Sequence, residues 1–380
     1  MTGALKGITV IDLSRMLPGP FCSMILADHG ARVIAIEDKK FKADNTYFYS
    51  VNRNKDHMTL NLKKKTGHQI FMKMVKSADI LMEGFRPGVT KRLMADYDTI
   101  KTINPEIIYC SITGYGQYGP FRDMPGHDVN YLSFSGILDT IGEKNGSPCI
   151  PGIQIADLAG GSMNALAGIL LALFAREKTG KGQYIDISMT DGVLGLLSMP
   201  LDLFQQDGKM PERSNTILSH KYACYNVYET SDAKYISIGA VENRFWQNLC
   251  TILGVPEYGP LQYDDSRREE IIHFFRKTFR EKTREQWDKE IGDKDICWGK
   301  VENISNLFDD PLFRAREMVG EIKDTKGNPV KYFGIPVKLS KTPGSVRTPP
   351  VGFGESTEKI LREYGYTDSE INTFIENDIV

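Results

Sequence analysis

The sequence lacks the features that mark several large classes of protein. Its six cysteines are scattered without a CxxC pair, which argues against a disulfide framework or a zinc site. Its net charge is −2, so no basic field points to nucleic acid. The longest apolar run, near 165–175, is too short to span a bilayer, and the first residues do not resemble a signal peptide. We therefore expect a cytoplasmic protein that binds neither nucleic acid nor membrane.

The pattern of elements along the 380 residues predicts two domains. Short β-branched runs alternate with helical segments over 1–200, which is typical of a Rossmann-like parallel sheet in an α/β domain. Over 201–325 the strands alternate in an antiparallel manner and the helices are amphipathic and highly charged, as in a smaller α+β domain. Strand and helix character returns in 326–380, which we assign to the large domain.

Glycine is scarce where a dinucleotide-binding protein needs it. The chain opens as a β-α-β unit with strands at 7–13 and 32–37 and a helix at 21–28, but the first turn holds one glycine instead of three. A second stretch, 114–119, matches GxGxxG, yet Pro120 and Pro125 follow within six residues and no helix can open there. The match is either accidental or a glycine-rich flap whose backbone bends close to another group; we favour the flap and expect neither NAD nor FAD.

Two side chains stand out as candidates for acid–base chemistry. His127 ends the loop after the flap, and by itself such a histidine is more often structural than catalytic. Asp157 is expected at the N-cap or first position of a long buried helix over 158–177, where an ordinary cap is the simpler explanation. A cap does not explain Gly160 and Gly161, since glycine in a helix costs about 1 kcal/mol relative to alanine. Free N–H groups at such a helix start can hold an oxyanion.

Basic residues follow two of the predicted strands. Arg86 lies in the loop 83–88, after a strand at 78–82, and loops at the carboxyl ends of parallel strands are where α/β proteins bind ligands. Arg86 is therefore a candidate anion contact or a plain surface arginine. The segment 52–65 is basic around a strand predicted at 58–62. A solvated edge is the commoner outcome for such a charge run; the lysines could also hold the phosphates of a nucleotide-like ligand, and the two interpretations are not exclusive.

Several motifs together resemble the class III coenzyme A transferase superfamily, and within it the α-methylacyl-CoA racemases. The resemblance covers about 5–320. Its carriers are GITVIDLS at 7–14, LPGPFC at 17–22, LADHGARV at 26–33, GYGQ at 114–117, GHDVNYL at 126–132, AD at 156–157, REKTGKGQ at 176–183 and IGAVENRF at 238–245.

The resemblance implies roles for three residues. In the racemases the positions of His127 and Asp157 flank the α-carbon of a 2-methylacyl-CoA; one removes a proton and the other returns one to the opposite face. Glu242 matches the carboxylate that supports the histidine. In the transferases the aspartate matching Asp157 is instead a nucleophile that carries acyl and CoA groups in turn.

The resemblance also implies a CoA site and an interlocked homodimer. The implied contacts with the substrate are Thr59, Leu60, Asn61, Leu62, Arg86, Gly126, Asp128, Asn130 and Tyr131. Asp38 stands where family racemases often carry an arginine, and Lys39 or Lys40 is a possible substitute. CoA is part of the substrate, so no separate cofactor or metal is expected.

The sequence therefore predicts an acyl-CoA racemase that inverts the α-carbon through an enolate. The alternative is a class III CoA transferase with a covalent Asp157 intermediate. A third interpretation is an acyl-CoA-binding protein without catalysis, against which the set of His127, Asp157 and Glu242 speaks.

Overall fold

The computed structural model describes residues 3–44 and 46–380, which group into two units. The first comprises the described residues up to Ile137 together with Pro151–Leu197 and Phe308–Val380, and the second comprises Leu138–Ile150 and Ser198–Leu307. The predicted boundaries differ from this division at 138–150, at 198–200 and at 308–325. In the second unit the Arg213 guanidinium binds the carbonyl oxygens of Asp139 and Gly146, so a segment distant in sequence belongs to it.

The first unit is built on a six-stranded sheet in which all strands are parallel, in the order β3-β2-β1-β4-β5-β6. This is the strand order of the Rossmann fold, with the change of direction between β1 and β4. The strands are β1 Thr9–Asp12, β2 Arg32–Glu37, β3 Lys55–Thr59, β4 Ile80–Glu83, β5 Ile108–Thr113 and β6 Tyr184–Ser188. The predicted α/β class is confirmed, although the third strand begins at Lys55 and not at Met58.

Helices connect these strands, as parallel neighbours require. They are α1 Pro18–Asp28, α2 Lys65–Val75, α3 Val89–Arg92, α4 Tyr97–Ile100, α5 Asp128–Phe134, α6 Asn164–Thr179 and α7 Met189–Leu194. Short 3₁₀ turns cover Lys39–Asp44, Tyr49–Val51 and Gly195–Leu197. The first helix begins at Pro18, three residues before the predicted start, because proline suits a first helical turn. The predicted flap 114–119 opens no helix.

The helix predicted at 158–177 differs from the expectation in two ways. Ala156–Met163 is a π-helix, and the α-helix begins only at Asn164. It is also not buried all round, since Leu171 and Phe174 are 70% and 63% exposed. The combined segment Ala156–Thr179 is long and apolar enough by length and composition to cross a membrane, which the apolar run read from the sequence was not. Core helices of globular proteins meet the same criterion, and this one packs on β5 and β6.

The second unit contains a small antiparallel sheet covered by helices, as expected for an α+β domain. Its elements are α8 Ser198–Asp207, β7 Tyr225–Glu229, β8 Tyr235–Gly239, α9 Asn243–Ile252, α10 Arg268–Phe279, α11 Arg284–Ile291, β9 Trp298–Lys300 and α12 Ile304–Leu307, with 3₁₀ turns at Leu138–Thr140 and Pro256–Leu261. Its core is rich in aromatic side chains, with Trp246 stacked on Phe275. The spacing of Thr283 and Gln286 indicates a capping box, which the structure confirms; the same spacing at Ser266 and Glu269 forms none because the helix begins at Arg268.

The chain then returns to the first unit. The elements are α13 Pro311–Ala315, β10 Val319–Lys323, β11 Pro329–Phe333, α14 Thr357–Glu363 and α15 Asp368–Glu376. Strands β10 and β11 form an antiparallel hairpin. The buried Arg53 guanidinium binds both Asp28 and the Phe333 carbonyl oxygen, which attaches the hairpin to the first unit.

Candidate active site

A cavity of about 590 Å³ lies at the carboxyl ends of β1, β4 and β5. It spans the point where the strand order changes direction, the usual ligand position in open α/β sheets. Segments that follow these three strands supply much of its wall, and Asp157 comes from the π-helix. The lining residues are Ser14, Arg15, Met16, Pro18, Gly19, Gly84, Phe85, Arg86, Pro87, Ile112, Thr113, Gly114, Tyr115, Arg122, Met124, Pro125, Gly126, His127, Asn130, Tyr131, Asp157 and Met189.

His127 and Asp157 therefore line one cavity, although thirty positions separate them in sequence. His127 is exposed and immediately precedes α5. Its backbone N–H donates to Asn130 Oδ1 at 3.0 Å, and its carbonyl accepts from the Asn130 N–H at 2.8 Å. These two bonds hold the backbone at the start of α5, so the imidazole extends from a constrained position.

Asp157 lies at the second position of the π-helix, not at the cap of an α-helix as predicted. Such π-helical turns are frequent at functional sites. The Ser162 hydroxyl donates to the Pro18 carbonyl oxygen at 2.6 Å and attaches the segment to the first turn of α1. A Cβ on Gly160 would lie 2.4 Å from the Met189 carbonyl oxygen, so a neighbouring backbone explains the glycine that the sequence left open.

The carboxyl group of Asp157 is unusually basic for its type. Burial, and after it the nearby Asp128 carboxylate, together raise its pKa to about 7. Near neutral pH the group is therefore present in both its protonated and ionised forms. A carboxyl group in this condition can give or accept a proton, which suits general acid–base catalysis.

The backbone N–H groups proposed as oxyanion donors are already engaged. Those of Ala156 and Asp157 donate to Asp128 Oδ1 at 2.6 and 3.0 Å, and that of Leu158 donates to the Gln154 carbonyl oxygen at 3.1 Å. The expectation that these groups hold an enolate oxygen is therefore wrong. The donor has to come from elsewhere in the cavity.

A second cavity, of about 480 Å³, adjoins the first because Arg15 and Phe85 line both. Apolar side chains cover most of it and basic side chains lie among them. The full lining is Leu13, Arg15, Ile36, Glu37, Asp38, Lys40, Phe41, Leu60, Leu62, Lys63, Phe85, Val89, Arg92 and Leu93. Apolar walls with a few cations match a ligand that has a flat base and phosphates.

The structure separates the predicted CoA contacts into two groups. Leu60 and Leu62 line the second cavity, and Arg86, Gly126, Asn130 and Tyr131 line the first. Three others make different contacts, in each case within the protein. Thr59 donates its N–H to the Thr357 hydroxyl, the Asn61 N–H donates to the Ile379 carbonyl oxygen, and Asp128 caps the Asp157 segment.

Lys39 and Lys40 are the possible substitutes for the arginine that the resemblance implies at Asp38. Lys40 lines the second cavity beside Asp38, whereas Lys39 does not. Sequence reasoning missed Arg15, which comes three residues after the end of β1, as Arg86 comes three residues after the end of β4. Its guanidinium donates to Glu37 at 2.8 Å and lies 3.5 Å from the centre of the Phe41 ring. Its position after a parallel strand was the signal that would have found it.

Glu242 belongs to the second unit, where it precedes α9. Its carbonyl oxygen accepts the Phe245 and Trp246 N–H groups, and its side chain is exposed. Its support of His127 stays a prediction. Among residues 3–44 and 46–380, no group of three or more His, Cys, Asp or Glu side chains is placed to hold a metal ion.

Comparisons with known proteins agree with this fold and site. The model of CoA-transferase family III matches residues 5–357. The chain is 33% identical to the alpha-methylacyl-CoA racemase of Homo sapiens, over 99% of this chain and 97% of that protein. It is 34% identical to an acyl-CoA transferase of Fusarium pseudograminearum, over 100% of this chain and 88% of that protein. A CAIB/BAIF family protein from Brucella suis has a TM-score of 0.84 at 27% identity, covering 96% of this chain and all of that one.

A parallel α/β sheet with a cavity at its switch point identifies the fold class. The match to a family model identifies the family within that class. The chain belongs to CoA-transferase family III. It is an enzyme of the superfamily that contains both CoA transferases and acyl-CoA racemases.

Proposed function

We propose that this enzyme is a racemase that inverts the α-carbon of 2-methylacyl-CoA thioesters by proton transfer through an enolate. One observation carries the proposal: an imidazole and a carboxyl group with a pKa near 7 line a single cavity. One of them removes the α-proton from one face. The other delivers a proton to the opposite face, so that the product has the same atoms and the inverted configuration.

The adjoining cavity supports a CoA thioester as the substrate. Lys40, Lys63 and Arg92 offer cations for phosphate groups, and leucine and isoleucine side chains offer surface for an adenine ring. Arg15 lies between the two cavities and can contact the chain that joins nucleotide and thioester. No cofactor other than the CoA of the substrate is needed for proton transfer.

The enolate oxygen requires a hydrogen-bond donor, and we assign this role to Tyr115. Its hydroxyl is buried and has no hydrogen-bond partner among the described residues. The hydroxyl oxygen lies 3.0 Å from the position that a Cβ on Gly126 would occupy, and Gly126 directly precedes His127. A buried hydroxyl without a partner is costly, and a substrate oxygen would satisfy it.

Removing this hydroxyl should slow proton abstraction more than substrate binding. For Tyr115→Phe we expect kcat for α-proton exchange to fall about 100-fold, the typical loss for one oxyanion donor, with KM changed less than about 3-fold. The matched control is Tyr118→Phe, since Tyr118 lies in the same loop and is 80% exposed. Equal kcat values for Tyr115→Phe and the wild type would exclude this donor.

The alternative function, CoA transfer, is favoured by the transferase relative. In that reaction the Asp157 carboxylate attacks the thioester carbonyl, forms a mixed anhydride and releases the CoA thiolate. A carboxyl group whose pKa is near 7 is largely protonated below that pH, which weakens it as a nucleophile. This property supports the racemase over the transferase.

We further propose that the enzyme is a cytoplasmic homodimer. The exposed side chains of Leu170, Leu171 and Phe174 form an apolar face on α6, and a second copy of the chain is an occupant that fits such a face. A partner subunit would also offer a route by which Glu242 supports His127. Sedimentation equilibrium measures this directly, and a monomer at micromolar concentration would contradict it.

One incubation tests the function. A single enantiomer of a 2-methylacyl-CoA is placed with the enzyme in deuterated water, with and without a free carboxylic acid. We expect deuterium at the α-carbon and loss of chirality, both independent of the added acid. A thioester of the added acid with retained chirality would establish the transferase, and tight binding without exchange or transfer would establish a non-catalytic acyl-CoA-binding protein.

A further inference from the structure

The carboxylate of Asp128 bridges the two elements that carry the acid–base pair. Asp128 is the first residue of α5 and directly follows His127. Its Oδ1 atom accepts the N–H groups of both Ala156 and Asp157. One oxygen atom thus joins the start of one helix to the start of the π-helix that bears Asp157.

The residue that precedes the π-helix offers no side chain to accept the first backbone N–H groups of that helix. This residue, Ile155, is apolar and makes no side-chain cap. The first N–H groups of a helix need external acceptors, and here a residue 28 positions earlier supplies one. On the other element, the Asn130 side chain fixes the backbone of His127. Both catalytic backbones are therefore fixed by side chains of α5.

The same carboxylate affects the charge of the site. It is the second cause, after burial, of the raised pKa of Asp157. On α5, burial and after it the Asp157 carboxylate raise the pKa of Tyr131. The charged or titratable groups that face the cavity from other segments are Arg15, Arg86, Tyr115, Arg122 and His127. Unlike these groups, Asp128 does not line the cavity, and it acts on Asp157 through both a hydrogen bond and its charge.

We propose that Asp128 is a positioning residue, which ties the Asp157 segment to the helix that follows His127 and so fixes the two acid–base groups across the cavity. This inference rests on the proposed racemase function. It replaces the role of CoA contact that the family resemblance implied for Asp128. The Asp128 carboxylate is turned to the backbone of Ala156 and Asp157, and Asp128 is not among the residues that line either cavity.

Two substitutions separate the hydrogen bonds from the charge. Asp128→Asn keeps an oxygen acceptor and removes the charge, whereas Asp128→Ala removes both. We expect Asp128→Asn to keep stereoinversion within about 10-fold of the wild type and Asp128→Ala to lose about 100-fold or more, because the Asp157 backbone is released. CoA affinity, measured by calorimetry with CoA alone, should change less than about 3-fold in both.

The effect of the Asp128 charge on the protonation of Asp157 can be measured without catalysis. Isotope-edited infrared difference spectra, recorded with carboxyl-labelled aspartate and with Asp157→Asn as the subtraction reference, follow the protonation of Asp157 directly. In Asp128→Asn the midpoint should move to lower pH by about one pH unit, since a like charge has been removed. Asp98→Asn, on the exposed α4, is the control and should leave the midpoint unchanged.

The outcomes distinguish this inference from the proposed function. If the wild type exchanges no α-proton, the racemase proposal fails, while the infrared midpoint still reports whether Asp128 acts on Asp157. An unchanged midpoint in Asp128→Asn, or full inversion in Asp128→Ala, would overturn the positioning role. A large loss of CoA affinity in Asp128→Asn would return the residue to the CoA site. Should Asp128→Ala fail to fold, the Asp128→Asn midpoint and affinity decide the question.

Discussion

Substituting His127 by alanine is expected to lower the rate of stereoinversion by at least about 100-fold, the usual contribution of a positioned acid or base. Inversion needs one group on each face of the α-carbon, and Asp157 serves only one face. Exchange of the α-proton with solvent should therefore persist for one enantiomer and cease for the other. The thioester is hydrolysed for analysis. Chiral analysis of the acid then measures stereoinversion, and mass spectrometry of its deuterium content measures α-proton exchange.

The surviving exchange also reports on Asp157. The aspartate acts as a base in its ionised form, so the rate should rise with pH and level off above a midpoint near 7, the pKa to which burial raises it. His273→Ala, on the exposed side of α10, is the matched control and should invert at the wild-type rate. Inversion at close to the wild-type rate in His127→Ala would remove that residue from the mechanism.

Substituting Asp157 by asparagine is expected to have an effect of similar size, about 100-fold or more on inversion. An amide neither accepts nor donates the α-proton, so exchange should now persist for the opposite enantiomer, through His127. Asparagine has nearly the same shape as aspartate, so misfolding would not explain the loss of inversion. Asp293→Asn, an exposed aspartate paired with Lys294, controls for the removal of a carboxylate.

The wild-type enzyme provides the complementary test of Asp157. With acyl-CoA and hydroxylamine present, a racemase leaves Asp157 unmodified, because no acyl group is ever attached to it. A hydroxamate at Asp157, located by peptide mass spectrometry, would mean that the carboxylate had been acylated. That result, together with transfer of CoA to an added acid, would assign the protein to the transferases of its family.

Much of the first unit was predictable from local pattern. Strands β1, β2 and β4 lie within two residues of their predicted ends at 7–13, 32–37 and 78–82, since buried β-branched runs between turn residues have few other structures. The third strand was shifted because 52–65 is rich in lysine, and the buried Lys55 does not look like a core residue in sequence. Burial of Lys55 is possible because its ammonium group donates to the Pro20 carbonyl oxygen.

The candidate site was likewise predictable only in part. The GHD and AD motifs named His127 and Asp157, and the cavity contains both. Three things were not visible in the motifs: the π-helical turn at Asp157, the occupation of its N–H groups by Asp128, and the orphaned hydroxyl of Tyr115. Each depends on contacts between segments that are more than ten positions apart.

The sequence by itself determined the α/β class, the absence of a dinucleotide fingerprint and the two residues that face the α-carbon in our proposal. The first two follow from residue type and spacing, which act over a few neighbours, whereas the roles of His127 and Asp157 follow from the resemblance of their motifs to the family. Only the tertiary structure decided how basic Asp157 is and which groups surround it. A carboxyl pKa depends on burial and on charges brought close in space; here α1, α5 and α7 pack against the π-helix, and α5 brings the Asp128 carboxylate close to Asp157.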